Sequence, residues 1–268
     1  QQINTLKLYK QIKSLIPNSY KYPGWYIFKA PQRKISWNTL YTDLLGIAIF
    51  MYRTIFPFKK LQPISICTGI KNRSDNYLNH FLESLQHMQH SELIELSVFD
   101  CHSDDIDNLE QRIREKWKGK LVFNSENIPF NRSYTFNHAI SQASNELILG
   151  CDADISLPPD MVKCCNQYVD KKQTWFPMYF FLFKNKPSVI SKENGIWDQY
   201  GSRGLFACYK TDFFAAGAFN ESYTVWGGED IDLWTRFHQN HYIVIRSRKK
   251  GLFHRWHTTF NPKYMHMN

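Results

Sequence analysis

Two aspartates separated by one residue, Asp152-Ala153-Asp154, directly follow the apolar run Leu147 to Gly150. Carboxylates so spaced converge on one hard cation where the chain turns. Mg2+ and Mn2+ prefer such oxygen ligands and also bind diphosphate oxygens. Alone the pair is a weak signal, because solvated turn aspartates share it. A second set is Trp226-Gly227-Gly228-Glu229-Asp230, followed by Asp232. Its two glycines let backbone approach a ligand closely. A carboxylate at the mouth of a cleft can take a proton from an attacking hydroxyl. Acids in a first helical turn also oppose the helix dipole and need no other reason, but a Trp and two Gly ahead of them are an uncommon prelude.

Two further segments place cations where a phosphate or a uracil edge would be met. Phe130-Asn131-Arg132 precedes a helical stretch, and Lys71-Asn72-Arg73 follows the first strand. Each also suits a plain surface loop. His254 and His257, near the end of the chain, offer imidazoles that would complete a site begun by Asp152 and Asp154. Their sequence context leaves the choice between them open.

Residues of this kind act together only if the fold gathers them. From Pro63 the chain alternates short apolar runs with helical periodicity. Strands are expected at Ile64 to Thr68, Leu93 to Phe99, Leu121 to Phe123 and Leu147 to Gly150. Helices are expected between them, over about 74 to 89, 105 to 117 and 133 to 144. This order predicts an α/β fold with a mostly parallel sheet and helices on both faces. Ligands of such sheets sit beyond the carboxyl ends of the strands, where most of the residues above fall. The second half is less regular. It has strand-like runs at Trp175 to Phe183, Leu205 to Tyr209 and Tyr242 to Arg246, and a helix from Asp230 to about Gln239. Residues 1–60, rich in Lys and Tyr and broken by Pro17, Pro23 and Pro31, read as an N-terminal extension to a domain over 61–268.

Of the 268 residues, 43% are apolar and 16% aromatic, and the formal net charge is +9. The positive charge is spread along the chain and suits phosphates or anionic surfaces. No nucleic-acid recognition motif is present, so nucleic acid is not an expected partner. The run Leu44 to Phe58 is too short to span a bilayer but could lie on one, so peripheral membrane association is an expectation. The six cysteines form no Cys-x-x-Cys pair and mostly sit in apolar runs, which fits buried thiols in a reducing compartment. With no signal segment at the start, a cytoplasmic location is expected, at the inner membrane face. The Golgi lumen is the alternative for a eukaryotic source, since Asn72, Asn131 and Asn220 begin N-glycosylation triplets.

The ordered set Phe130-Asn131-Arg132, Asp152-Ala153-Asp154, Trp226-Gly227-Gly228-Glu229-Asp230 and a late histidine resembles GT-A glycosyltransferases. It is most similar to the inverting group around the β-1,4-galactosyltransferases and the bacterial chondroitin-type polymerases. The resemblance covers about residues 63–260. It implies a GT-A (Rossmann-like) fold with a smaller acceptor-side second half, a UDP-sugar donor, a glycan acceptor and Mn2+ (or Mg2+). By the same resemblance Asp230 is the catalytic base and Glu229 an acceptor-binding acid. Asp152, Asp154 and His254 are the implied metal ligands, with His257 as the alternative late histidine. The implied donor contacts are Thr68, Lys71, Arg73, Asp100, Phe130, Arg132, Asp152, Ala153, Trp226 and Gly228. In the galactosyltransferases a Met stands three residues before the metal histidine; counted from His254, that place holds Gly251. Rival readings are a nucleotidyltransferase and a non-catalytic carbohydrate-binding subunit. The first lacks its Gly-rich phosphate loop, since Thr68-Gly69-Ile70-Lys71 has one Gly. The second needs no paired metal and base carboxylates.

Overall fold

The computed structural model describes residues 60–197, 203–224 and 227–257, with short pieces between 48 and 56. The expected extension over 1–60 therefore lies almost wholly outside the described residues, and its apolar run at 44–58 is described only at 48–49, 51–52 and 55–56.

The first half is built as expected. Strands β1 (Ile64–Ile70), β2 (Ile94–Asp100), β3 (Lys120–Ser125) and β4 (Leu147–Gly150) pair in parallel in the order β3-β2-β1-β4. Every residue of β1, β2 and β4 is buried; β4 is wholly apolar, whereas the buried polar residues of β1 and β2 are held by hydrogen bonds such as Ser65 Oγ to Glu95 Oε1 and Ser97 Oγ to the Ala139 carbonyl. The crossovers are helices α1 (74–86, with a π-helical segment at Tyr77–Phe81), α2 (Leu109–Lys116) and α3 (Arg132–Gln142). Side chains of β1 alternate between two cores. Ile64, Ile66 and Ile70 face a cluster with Tyr77, Phe81 and Leu85 of α1. Cys67 faces one with Phe136 and Ile140 of α3. Helices thus cover both faces of the sheet.

The second half adds β5 (Ile155–Ser156), α4 (Met161–Tyr168), β6 (Gln173–Leu182), β7 (Gly195–Trp197), β8 (Phe206–Tyr209), α5 (Lys210–Ala215), α6 (Glu229–Gln239) and β9 (Ile243–His254). The sheet continues from β4 as β8-β6-β9-β5, with β7 on β6. Here β8 runs antiparallel to β4 and β6, while β6 and β9 are parallel. The result is a curled, mostly parallel central sheet, mixed at one side.

One difference from the sequence reading decides the site. The last strand does not stop at Arg246 but runs to His254. The polar run Arg246-Ser247-Arg248-Lys249-Lys250 reads as a loop, yet it pairs with β6 as far as Arg248. The register then jumps, from Arg248 opposite Met178 to Phe253 opposite Phe180. Beyond this irregularity β9 crosses to β5, where His254 stands opposite Ile155 and Phe253 opposite Ser156. All six cysteines are buried and unpaired, as expected.

Candidate active site

The β5–β9 ladder explains why residues a hundred positions apart meet. Asp154 immediately precedes β5, His254 ends β9, and the Arg255 N–H donates to the Asp154 carbonyl at 2.9 Å. His257 Nε2 lies 2.9 Å from Asp154 Oδ2, and His254 Nε2 lies 3.6 Å from Asp154 Oδ1. One ligand atom from each of Asp154, His254 and His257 falls within 4.8 Å of the others. Both histidines thus converge on Asp154, and neither excludes the other. Counting back three residues from His257 reaches His254 itself, a ligand-type residue where counting from His254 had reached Gly251. Burial pushes the Asp154 carboxyl up. The neighbouring His254 and the hydrogen bond from His257 outweigh burial and hold it well below the usual carboxylate range.

Asp152 does not join this group. Its Oδ1 accepts from Arg132 Nε at 2.9 Å. Burial, reinforced by the charge of Asp154, raises its carboxyl above the ordinary value despite Arg132. Arg132 is the junction of the site. Its Nη1 donates to Glu229 Oε1 at 3.2 Å, its Nη2 donates to the Gly204 carbonyl at 3.0 Å, and its guanidinium carbon sits 4.4 Å from the Phe136 ring centre. Burial works against its charge, but Asp152, Glu229 and Asp230 together hold it protonated. The Asp-x-Asp turn and the start of α6 are therefore neighbours, joined by one side chain from α3. Removing that cation would leave buried Glu229 and half-buried Asp152 without their partner, at a cost of about 3–5 kcal/mol that falls mainly on Glu229.

Helix α6 opens at Gly228, whose φ of +109° favours glycine, and its first turn carries Glu229, Asp230 and Asp232. Asp232 pairs with Arg236 at 2.8 Å, one turn on, and is a structural acid. Glu229 is 5% exposed; one of its oxygens meets Arg132 and the other, Oε2, is buried with no hydrogen-bond partner among the described residues. A buried acceptor in that state costs free energy unless a ligand supplies a donor. Asp230 is half-buried, and its Oδ1 accepts from the Ile231 N–H.

The expected donor-side residues are placed as follows. Lys71 Nζ donates to the His102 carbonyl at 2.6 Å, and Arg73 Nη2 lies 3.3 Å from His257 Nδ1. Asp100 is buried at the end of β2, where it accepts from Ser103 N and Oγ and from Ser125 Oγ, and so ties its own loop together. Phe130 is 46% exposed beside Arg132, whereas Ala153 is buried and Thr68 is wholly buried within β1. Trp226 lies outside the described residues. Sequence reasoning passed over Gly204. A Cβ there would lie 2.7 Å from Arg132 Nη2 and 2.8 Å from Asp152 Oδ2, so any side chain at this position would displace the ends of the ion pair. Its only sequence signal is a glycine ahead of a strand.

A family model described as Chondroitin N-acetylgalactosaminyltransferase matches residues 64–263. Chondroitin sulfate N-acetylgalactosaminyltransferase 1 of Mus musculus is 24% identical over 217 residues, which make up 72% of this chain and 41% of the relative. The chain thus spans about two fifths of that protein's length. Among solved structures, GalNAc-T7 with UDP, GalNAc and Mn2+ superposes with a TM-score of 0.56 at 13% identity, over 74% of this chain and 45% of that one. S. aureus TarS 1-349 in complex with UDP-GlcNAc gives 0.55 at 16% identity, over 74% and 60%. These likenesses show the GT-A fold. The likeness to chondroitin sulfate N-acetylgalactosaminyltransferase 1 and chondroitin sulfate synthase 3 of Mus musculus corrects the expected cytoplasmic location. The compartment was misread because buried free thiols suit a reducing interior but do not require one. Among the described residues no helix is long and apolar enough to cross a membrane.

Proposed function

Because this chain belongs to the chondroitin N-acetylgalactosaminyltransferase family of glycosyltransferases, we propose that it moves an N-acetylgalactosaminyl or related hexosyl group from a UDP-sugar to a glycan hydroxyl, with inversion at the anomeric carbon. The observation that carries this reading is the meeting of Asp154, His254 and His257 at the sheet's carboxyl end, with Arg132 linking them through Asp152 to the acids of α6.

The residues fit a divalent cation. Among the described residues Asp154 Oδ1 and His254 Nδ1 are buried without hydrogen-bond partners, and the 3.6 Å between Asp154 Oδ1 and His254 Nε2 is too long for a hydrogen bond. One carboxylate and two imidazoles suit a divalent first-row metal ion, and Mn2+ is taken as that ion because it accompanies UDP in the GalNAc-T7 structure. Bound there, the ion would neutralise charge on the departing diphosphate. The chain's own residues do the rest. Arg73, at the edge of this group, adds positive charge toward the diphosphate. Glu229 Oε2 accepts a hydrogen bond from a sugar hydroxyl, which answers its lack of a partner. Asp230 takes the proton of the acceptor hydroxyl as that oxygen attacks C1 from the face opposite UDP. The bond from C1 to the diphosphate oxygen breaks, and its electron pair leaves with UDP.

The test is UDP release from UDP-Gal, UDP-GalNAc, UDP-GlcNAc and UDP-GlcA, with and without Mn2+. Mn2+-dependent release is expected, fastest with UDP-GalNAc. Release with none of the four would overturn the reading, and pyrophosphate release from a nucleoside triphosphate would replace it with nucleotidyl transfer. A narrower check follows from the packing at Gly204. Gly204→Ala displaces the Arg132–Asp152 pair and is expected to weaken Mn2+-dependent UDP binding by about tenfold, or about 1.4 kcal/mol, in calorimetry.

A further inference from the structure

Asn137 on α3 takes no part in the chemistry above, yet its carboxamide grips the backbone of Phe219 at both ends. Oδ1 accepts from the Phe219 N–H at 2.9 Å, and Nδ2 donates to the Phe219 carbonyl at 2.9 Å. Nδ2 also donates to the Glu221 carboxylate at 2.7 Å. Nearer the start of the same helix, Asn131 caps α3 by accepting from the Tyr134 N–H at 3.0 Å. Its Nδ2 faces the carbonyls of Glu221 at 3.1 Å and Tyr223 at 3.3 Å. The Phe219 ring is buried against Phe136, Phe206 and Phe213. The run 219–223 is therefore nailed to the core at one residue and read along its backbone by two amides. That run leads through Gly227 and Gly228 into Glu229 and Asp230, and Arg132, from the same helix, holds Glu229.

We propose that Asn137 is a positioning residue for sugar transfer: through Phe219 and Glu221 it sets where the acids of α6 stand relative to the Asp152–Asp154 turn, without touching substrate. A carboxamide is the side chain that offers a donor and an acceptor together against a backbone N–H and C=O pair. Aspartate at this position keeps the size but loses the donor, and it sets a second carboxylate against Glu221. The proposal rests on the transferase reading above, so its test includes a readout that does not need activity.

In the full chain, Asn137→Asp is expected to speed hydrogen exchange over 219–230 by at least about tenfold. Mn2+-dependent UDP affinity should stay within about twofold, while acceptor kcat/KM falls by at least about thirtyfold. The double variant Asn137→Asp with Glu221→Gln should regain part of that loss, because the new amide at 221 donates to the new carboxylate and the repulsion is gone. Unchanged exchange over 219–230 overturns the proposal. So does a loss of UDP affinity as large as the loss of transfer, since the effect would then be general. If Asn137→Asp does not fold, the smaller uncharged Asn137→Ser carries the same measurements. A wild-type chain that neither binds UDP nor transfers sugar sinks the transferase reading, while hydrogen exchange still decides whether Asn137 positions this segment.

Discussion

Asp154→Ala is expected to abolish Mn2+-dependent UDP binding, a drop of at least about 10² in affinity by calorimetry. Asp154 is the one acid in the three-residue group, and it meets both histidines. Neutral imidazoles bind a divalent ion without offsetting its charge, so the carboxylate carries most of the electrostatic attraction. The surroundings keep it ionised, because His254 and His257 more than offset its burial. Asp154→Asn, which preserves volume, should fail almost as completely, and this separates loss of charge from loss of packing. Affinity unchanged in either variant rejects the metal assignment.

Asp230→Asn should behave in the opposite way, retaining UDP binding and losing turnover by at least about 10². An amide cannot accept the proton of the attacking hydroxyl, but it keeps the shape of the residue and its place in the first turn of α6. Asp230 is not one of the three residues that meet at the histidine group, so binding of the ion and the nucleotide is expected to survive its loss. Turnover near wild type would mean that another group takes the proton. Glu229 is the poorer candidate. It is 5% exposed, and its Oε1 is already taken by the Arg132 guanidinium at 3.2 Å.

The parallel half of the fold was legible because short apolar-rich runs alternate with stretches of helical periodicity, and Leu147 to Gly150 ending at the Asp-x-Asp turn shows this most plainly. The start of α6 was legible from two glycines followed by acids. Less could be read where long-range pairing outweighs local pattern. Arg246 to Lys250 is polar enough to pass for a loop, yet it is the middle of β9, and the bend beyond it delivers His254 to the Ile155 ladder. That join also explains why sequence reasoning could not choose between His254 and His257: both face Asp154. Asp152 and Asp154 look equivalent in sequence, but one faces Arg132 and the other the histidines, a division set by a residue twenty positions upstream. Asn137 carries no sequence signal at all, because its partner is the backbone of Phe219 and any residue there has the same backbone.

The β5–β9 ladder makes the tail of the chain intolerant of length changes in a way the rest of the molecule is not. Side chains on a strand alternate sides. A one-residue slip of Phe253 and His254 against Ser156 and Ile155 would turn the His254 imidazole out of the cleft, even though every amino acid type needed for chemistry would still be present. The register jump between Arg248 and Phe253 shows where extra residues can be absorbed. The last few pairings against Ile155 and Ser156 have no such slack.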